Sequence, residues 1–387
     1  MSESIWRIPL ADIDMGELEI EAVTEVLLSR WLTMGDKTRE FEAAMARTLG
    51  VRHAIAVSNG TVALHLAYLA LGLQPGDEII MPSLTFVATA NAAVYTGAVP
   101  VFAEIVGSHD LNIDPGDVAR KVTPRTRAIA VVHYAGYPVD MDAIMQIARK
   151  YGLAVVEDAA HAPGALLNGQ ALGAIGDVGC FSFFSNKNLA VGEGGLVATN
   201  RDDLAEKMRL MRSHGMTTLT WDRYKGHASS YDVVALGFNY RMDEVRSALG
   251  LVQLGRLEAG NASRQALVAR YHELLSGVSG VSVPYAGPLG KPSYHIMPVL
   301  LLPGISRPSV IGAMKGELIQ TSIHYPPIHL FTYYRERYNL GPGLLPVTEE
   351  VAARELTLPL YPTMSLADVD QVVAALKLAI KQEEYVA

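Results

Sequence analysis

The sequence predicts an α/β fold, with a large domain built on a mainly parallel sheet between helices and a smaller C-terminal α/β domain. Over the first two thirds of the chain, short apolar segments alternate with helical patterns. The apolar segments are continuous rather than alternating, which is typical of strands covered by helices on both faces. The length of 387 residues is also enough for two units at ~150 residues per domain.

The candidate elements follow one another in a strand–helix order. Strands are predicted over residues 53–57, 78–81, 99–102, 127–132, 153–157 and 195–199, and helices over about 61–71, 87–95, from 140 onward, and 201–212. In open sheets of this kind, ligands bind beyond the carboxyl ends of the strands. We therefore expect the functional residues to follow these strands directly.

The last third of the chain has a different pattern. Residues 215–234 predict a long irregular loop, and two helices are predicted after it, over about 243–258 and 262–276. A final amphipathic helix is indicated by a capping box between Ser365 and Asp368. Its apolar residues follow helical spacing: Val369, Val372, Val373, Leu376 and Ile380. We predict a large domain over residues 1–258 and a small one over 259–387.

Composition excludes several classes of protein. Lys and Arg number 32 against 40 Asp and Glu, a net charge of −8, so the chain has no basic surface for nucleic acid or an anionic membrane. The one cysteine, Cys180, excludes an intramolecular disulfide framework. Residues 1–7 do not resemble a signal peptide, and the long uncharged stretch 79–103 contains two prolines. We expect a soluble, cytoplasmic protein.

Asp158 and Lys187 are the first two candidates for chemistry. Asp158 ends an apolar strand and is followed three residues later by His161, so its carboxylate could meet a cationic nitrogen of a ligand or simply cap a turn. Lys187 lies between an aromatic-rich run and the glycine-rich residues 192–195. Burial there would lower the pKa of its amine and make it a nucleophile, whereas an exposed lysine would have no such role.

The third candidate is the helix start at Gly60 and Thr61, directly after a predicted strand. Free backbone N–H groups and the helix dipole form an anion site that needs no net positive charge. Helix capping by Thr61 is the alternative explanation. A phosphate could therefore be held by a few local donors, in spite of the negative net charge.

Other familiar motifs are missing. The sequence has no G-x-x-x-x-G-K-[ST], no G-x-G-x-x-G after a strand, no H-E-x-x-H and no G-x-S-x-G. His324 and His329 have loop spacing rather than that of a helical metal pair. Nucleotide hydrolysis, dinucleotide-dependent dehydrogenation and zinc hydrolysis are disfavoured, and no metal site is predicted.

The three candidates together match the needs of one cofactor. Pyridoxal 5′-phosphate (PLP) carries an aldehyde, a ring nitrogen and a phosphate, and its protein signature is a Schiff-base lysine with an acid at the ring nitrogen. More narrowly, the chain resembles the DegT/DnrJ/EryC1/StrS family of sugar aminotransferases, within the fold-type-I, aspartate-aminotransferase-like class. The resemblance covers nearly the whole chain, in eight segments: 31–35, 82–91, 140–144, 157–162, 181–188, 237–242, 324–329 and 358–362.

The resemblance implies roles around the cofactor ring. Lys187 would form the Schiff base and later shuttle the proton, and Asp158 would keep the ring nitrogen protonated. His161 would lie near the 3-hydroxyl and Phe86 would stack on the ring. The lysine also favours amino transfer, because relatives with histidine at that position act as dehydratases.

The resemblance also implies contacts to the phosphate and the substrate. Gly60, Thr61 and Ser182 would donate to the phosphate. Asn239 would reach the phosphate bound by the neighbouring subunit, which implies a homodimer with shared sites. Three residues would line the sugar pocket: His324, Tyr325 and His329.

The implied reaction is a two-step transfer. L-glutamate would leave its amino group on the cofactor as pyridoxamine 5′-phosphate, and a keto-sugar, expected to be nucleotide-linked, would accept it. His161 and residues 192–195 favour C4 over C3 amination. Two alternatives stay open: transamination of an inosose (a cyclitol ketone) and a PLP-binding regulator without turnover.

Overall fold

The computed structural model describes residues 5–218 and 230–384. Its strands are β1 (His53–Val57), β2 (Glu78–Pro82), β3 (Val99–Ala103), β4 (Ile105–Gly107), β5 (Asp110–Ile113), β6 (Thr126–Val132), β7 (Ala154–Asp158), β8 (Leu166–Leu167), β9 (Gln170–Ala171), β10 (Val178–Ser182), β11 (Gly195–Thr199), β12 (Val281–Ser282), β13 (Met297–Leu301) and β14 (Glu355–Leu358). Its α-helices are α1 (Glu17–Ser29), α2 (Asp36–Leu49), α3 (Gly60–Ala70), α4 (Ala88–Tyr95), α5 (Pro115–Lys121), α6 (Met141–Tyr151), α7 (Asp202–Arg212), α8 (Glu244–Leu275), α9 (Arg307–Gly316), α10 (Thr332–Tyr338), α11 (Pro346–Arg354) and α12 (Leu366–Glu384).

The large sheet has seven strands in the order β1–β11–β10–β7–β6–β2–β3. β11 is antiparallel to both of its neighbours, β1 and β10, whereas the remaining pairs are parallel. The predicted mainly parallel sheet is therefore confirmed. β10 was not among the predicted strands, although it supplies one wall of the site described below.

The strands of this sheet are apolar because both faces are covered. Ile79, Ile80 and Met81 of β2 are all fully buried. Ile80 packs on one face with Phe41 of α2, and Ile79 and Met81 pack on the other face with the apolar side of α3. This burial leaves the loops at the carboxyl ends of the strands as the places where polar side chains meet a cavity.

α8 is one continuous helix, where the sequence predicted two. The break expected near Gly260 does not occur, because Asn261 uses its side chain in tertiary hydrogen bonds to Pro163 O (2.9 Å) and from Asn188 Nδ2 (2.8 Å). The helix begins at Asp243, whose side chain accepts from Arg246 N at 2.8 Å. The proposed domain boundary after residue 258 falls inside this helix, and the division into two domains stays a prediction.

The C-terminal part packs on its own three-stranded antiparallel sheet, β12–β13–β14. α12 covers it with the five apolar residues singled out from their spacing, and all five are buried. Ser365 Oγ accepts from Asp368 N at 3.1 Å and Asp368 Oδ2 accepts from Ser365 N at 2.9 Å. The predicted capping box and amphipathic helix are confirmed.

Within residues 5–218 and 230–384, no helix combines the length and the apolar character needed to cross a bilayer. In the same part of the chain, no cluster of three or more His, Cys, Asp or Glu side chains is arranged to hold a metal ion. The loop predicted over 215–234 lies partly outside the described residues. Where it is described, Thr217 N donates to Asp232 O at 3.0 Å.

Candidate active site

A cavity of about 600 Å³ opens at the carboxyl ends of β1, β7 and β10 and after β2. Its size is that of a small-molecule site. Nine of the residues predicted from the sequence line it: Gly60, Thr61, Phe86, Asp158, His161, Ser182, Lys187, His324 and Tyr325. These residues come from segments up to 265 positions apart in the sequence, so the fold brings the predicted set together.

Asp158 ends β7 with its carboxyl group in the cavity wall. Oδ2 accepts from Thr89 Oγ1 at 2.7 Å and Oδ1 accepts from Ala160 N at 3.2 Å. Asp158 therefore does cap the turn at Ala160, as the alternative expected, but only through Oδ1. Burial raises the pKa of Asp158, opposed by Thr89, Ala160 and the charge on Lys187. A cationic ligand nitrogen beside it would favour the ionised form.

Lys187 lines the cavity from the segment that follows β10, with its side chain half-buried and its amine enclosed by protein. Burial lowers the pKa of its amine from 10.5 to about 8, against the opposing effect of Asp158. A substantial neutral fraction is therefore present near pH 8, and a neutral amine is the form that attacks an aldehyde. The structure supports the buried, reactive alternative for this lysine.

His295 is the partner of the Lys187 amine, with Nε2 3.3 Å from Nζ. Asn188 fixes the tautomer of this imidazole. The Asn188 amide nitrogen donates to Asn261 Oδ1 and Ser293 O, both at 2.8 Å, so its oxygen accepts from His295 Nδ1 at 2.9 Å. Nε2 is then the unprotonated nitrogen and accepts from the lysine. This contact orients the amine.

The start of α3 forms a cradle of donors. Asn59, not Thr61, caps the helix, with its side chain accepting from Val62 N at 3.0 Å. The Thr61 hydroxyl is left without a hydrogen-bond partner among the described residues. A Cβ on Gly60 would lie 2.8 Å from the Cβ of Ser182, so only glycine lets β10 approach this turn. The hydroxyls of Thr61 and Ser182 therefore converge on the helix N-terminus.

His161 and Tyr325 form one edge of the cavity. His161 Nδ1 accepts from Ala135 N at 3.3 Å, and Nε2 lies 3.0 Å from the Tyr325 hydroxyl. Burial holds the pKa of His161 well below its usual value, so the ring is neutral and its Nε2–H donates to Tyr325. The Tyr325 hydroxyl can then donate into the cavity. Phe86 lies opposite, 56% exposed, its ring centroid 6.0 Å from that of Tyr325.

Two predicted site residues lie outside this cavity. His329 is fully buried on a 3₁₀ turn, and its ring nitrogens contact Ser83 Oγ (2.7 Å) and Glu349 Oε1 (2.9 Å). The expectation that His329 lines the sugar pocket is corrected, because both nitrogens are used in structural contacts. Asn239 is exposed and pairs through its backbone with Ser213, so it makes no contribution to the cavity of its own chain.

Sequence reasoning missed Thr89, His295 and Asn188. Thr89 lies in a segment that carries the family resemblance, but nothing local indicates that its hydroxyl meets an acid 69 positions away. His295 is 108 positions from Lys187. The signal that could have found it is its position two residues before the apolar strand that begins at Met297.

The residues present fit PLP. One cavity contains three suitable groups: a buried carboxyl whose pKa is raised, a lysine whose pKa is lowered, and a helix N-terminus with unused donors. These groups match the ring nitrogen, the aldehyde and the phosphate of the cofactor. Gly60 and Ser182 line the cavity, and their close approach leaves no space for a methyl group added at Gly60.

Comparisons with known proteins agree with this fit. The sequence profile of the DegT/DnrJ/EryC1/StrS aminotransferase family matches residues 13–377. The spore coat polysaccharide biosynthesis protein SpsC of Bacillus subtilis (strain 168) is 41% identical over 372 residues, 95% of each chain. The aminotransferase TlmJ of Streptoalloteichus hindustanus superposes with a TM-score of 0.90 at 35% identity, covering 97% of this chain and 99% of TlmJ. DesI, solved in the presence of its TDP-sugar product, gives 0.87 at 33% identity, with 99% and 95% covered.

Proposed function

The chain belongs to the DegT/DnrJ/EryC1/StrS aminotransferase family, and from that premise we propose that it moves an amino group from L-glutamate to C4 of a nucleotide-linked keto-sugar. The coarser assignment is established: the chain is a PLP-dependent sugar aminotransferase. A PLP-binding regulator without turnover is thereby set aside. The amino donor, the nucleotide, the position of amination and the cytoplasmic location belong to the proposal.

The observation that carries the proposal is the common cavity of Lys187 and Asp158. PLP, when bound, supplies an aldehyde and a ring that withdraws electrons from the reacting carbon. The amine of Lys187, with its pKa lowered to about 8, would hold that aldehyde. As a neutral amine, Lys187 would also be the group that moves the proton at the reacting carbon.

Asp158 acts at the opposite end of the ring. Its carboxylate would hold a proton on the ring nitrogen, because a neutral nitrogen beside a buried anion would leave the charge uncompensated. The Thr89 hydroxyl, 2.7 Å from Oδ2, orients the carboxylate. Donors at Gly60, Thr61 and Ser182 would hold the phosphate without any lysine or arginine.

The sugar would lie beside His324 and Tyr325, which line the same cavity. Support for a nucleotide link comes from the relatives: DesI was solved with a TDP-sugar product, and SpsC is described as a polysaccharide biosynthesis protein. C4 amination is proposed from His161 and residues 192–195, where the sequence resembles C4-aminating relatives more than C3-aminating ones.

The proposal includes a homodimer with shared sites. Asn239 is exposed and free to reach the phosphate bound by a second copy. α1 also presents apolar side chains to solvent, with Leu18 56%, Ile20 67% and Leu28 77% exposed. A soluble chain rarely leaves such a face uncovered. Ultracentrifugation of the wild-type chain and Asn239→Ala tests the dimer, which both should form. The affinity of the two proteins for PLP tests the shared site, because the variant should bind PLP more weakly.

The test of substrate is a two-part assay. Incubation of the PLP-loaded protein with L-glutamate should release 2-oxoglutarate in an amount equal to the enzyme. The resulting form should then aminate 4-keto nucleotide sugars faster than 3-keto ones and faster than inososes. The exposed Lys207 provides a matched control, since Lys207→Ala should retain both half-reactions and Lys187→Ala should lose both. Reaction with inososes alone would overturn the nucleotide-sugar proposal.

A further inference from the structure

Behind His324, a buried carboxyl and a hydroxyl form a chain that ends at the sugar side of the cavity. We propose that Glu355 and Thr357 act as positioning residues that determine whether His324 offers a donor or an acceptor to the sugar. The inference rests on the proposed function, because it concerns how that same site recognises its substrate. The chain of contacts itself requires no substrate to be present.

The contacts run in one line. Thr357 Oγ1 lies 2.5 Å from Glu355 Oε1, and His324 Nδ1 lies 2.9 Å from the same hydroxyl. Glu355 Oε2 is occupied by His324 N at 2.8 Å. The other ring nitrogen of His324, Nε2, has no protein partner among the described residues, and His324 lines the cavity. Nε2 is therefore the atom that can meet a ligand.

The single hydroxyl of Thr357 couples the two ends of this line. When Glu355 is ionised, Thr357 donates to it and must accept from His324 Nδ1–H, which leaves Nε2 as an acceptor. When Glu355 is protonated, its carboxyl O–H donates to Thr357 Oγ1, and the Thr357 hydroxyl donates to His324 Nδ1. His324 Nε2 then carries the hydrogen and donates into the cavity. In both arrangements, the Glu355–Thr357 contact and the Thr357–His324 contact each contain one hydrogen.

Glu355 is in an environment that allows both states near neutral pH. It is fully buried, and burial raises its pKa to about 8, against the opposing effects of Thr357, His324 N and Arg307. Arg307, on α9, is the cation near it, and Arg307 Nη1 donates to the backbone oxygen of Glu355 at 2.9 Å rather than to the carboxyl. Tyr134 and Tyr325 also face it, as neutral phenols whose own pKa values are raised by burial.

His324 itself does not become charged in this range. Burial lowers its pKa to about 4, with the charge on Lys187 acting in the same direction. The neighbouring imidazoles of His161 and His295 are also neutral, since burial holds their pKa values well below the usual value. The change at His324 is therefore an exchange of tautomers and not a gain of charge.

The protonation state of Glu355 determines which group of the sugar His324 can bind. Below about pH 8 the carboxyl of Glu355 is protonated and His324 donates, so the group of the sugar that it meets is an acceptor such as a keto or ring oxygen. Above that pH, His324 becomes an acceptor and faces that oxygen with a lone pair. The KM for the keto-sugar should rise about tenfold from pH 7 to pH 9, the size of one hydrogen bond to substrate, whereas the titration of Lys187 in the same range acts on kcat.

The experiment is ¹⁵N NMR of histidine-labelled, PLP-loaded protein without substrate, from pH 6 to pH 9.5. Pyridine-type and pyrrole-type ring nitrogens have well-separated shifts, and His324→Gln identifies the signals of His324. We expect the two nitrogens of His324 to exchange character with a midpoint near pH 8. A His324 tautomer that stays constant over the range would overturn the proposal.

Three variants separate this coupling from a structural role. In Glu355→Gln the carboxamide can donate to Thr357 at every pH, so His324 should stay in the Nε2–H form and the KM should lose its pH dependence. Thr357→Val should also remove the pH dependence, whereas Thr357→Ser, the matched control, should keep it. Retention of the midpoint in Glu355→Gln would exclude Glu355. Because the NMR readout needs no sugar, failure of the substrate assay alone would count against the proposed function and not against the coupling.

Discussion

Glu157 and Asp158 are consecutive acids at the end of β7, yet they lie in different surroundings. Successive side chains of a strand point to opposite faces of the sheet. Glu157 is turned into the protein, where its carboxylate accepts from His133 Nε2 (3.0 Å) and from three backbone amides at 2.7–2.8 Å. Asp158 is turned into the cavity and has two donors, Thr89 and Ala160.

The two pKa values shift in opposite directions. Burial raises the pKa of each carboxyl, but at Glu157 the hydrogen bonds and charge of His133 and the backbone amides outweigh it and lower the pKa. At Asp158 the donors do not outweigh burial and the pKa stays raised. The charge of Glu157 is therefore compensated within the fold, whereas Asp158 needs a cationic partner that the chain does not fully supply. The comparison separates a structural acid from a functional one.

Replacement of Lys187 should have the largest effect on activity. Lys187→Ala removes the amine that holds the aldehyde and moves the proton, so kcat should fall at least ~10³-fold. The absorbance band of the covalently held cofactor should be absent, although PLP can still bind. The exposed Lys207 serves as control: Lys207→Ala should retain the band and the rate, and equal losses in the two variants would show that the effect is not specific to the cavity.

Asp158→Asn should strongly reduce activity without weakening the fold. The amide keeps the shape but cannot stabilise a protonated ring nitrogen, so kcat should fall roughly 10²–10³-fold. A raised folded-state pKa costs stability above the unfolded value of ~3.9. The cofactor-free variant should therefore melt at the same temperature as the wild-type chain or higher. A clear loss of melting temperature would mean that Asp158 is a structural acid like its neighbour.

Glu157→Gln should show the reverse pattern. The amide group would face backbone donors and break the pair with His133, so the free energy of unfolding in urea should fall by about 2–4 kcal/mol. The kcat of the folded variant should stay within about threefold of the wild-type value. Loss of kcat without loss of stability would contradict the division of roles between the two acids.

The same pair gives opposite pH dependences of stability. Because its folded-state pKa is lowered, Glu157 contributes stability that is present above its unfolded pKa of ~4.3 and is lost as pH falls through the folded value. The difference in stability between wild type and Glu157→Gln should therefore shrink below about pH 4. A difference that stays constant down to pH 3 would exclude this linkage.

Thr89→Val should have the smallest of these effects. It removes one hydrogen bond to Asp158 Oδ2 while keeping the side-chain shape, so kcat/KM should fall about five- to tenfold. Thr89→Ser retains the hydroxyl and should stay close to wild type. If the two variants behave alike, the hydroxyl has no role in orienting the carboxylate.

The cofactor side of the site could be predicted from the sequence because each of its groups is fixed by a local element. Asp158 follows an apolar strand, Gly60 and Thr61 begin a helix, and Lys187 comes after an aromatic-rich run. A strand end, a helix start and a glycine turn are visible within a few residues, and their positions at one edge of a parallel sheet follow from the topology. The family resemblance agreed with the same residues.

The sugar side could not be predicted in the same way, because its contacts join distant segments. Glu355 was not among the predicted site residues, and the pairing of β13 with β14 buries it behind His324. His329 has the same residue type as His324, five positions away, but the 3₁₀ turn directs it into the core. The continuous helix α8 was missed for a similar reason, since tertiary hydrogen bonds of Asn261 override a local break signal.

The central claim is that Lys187 holds PLP opposite Asp158. Reduction of the PLP-loaded protein with borohydride, followed by digestion and mass spectrometry, tests it most directly, because reduction fixes the cofactor on whichever amine carries it. We expect a pyridoxyl group on Lys187 and none on Lys207. A modification on another lysine, or an unmodified Lys187 in protein that has bound one PLP per chain, would contradict it.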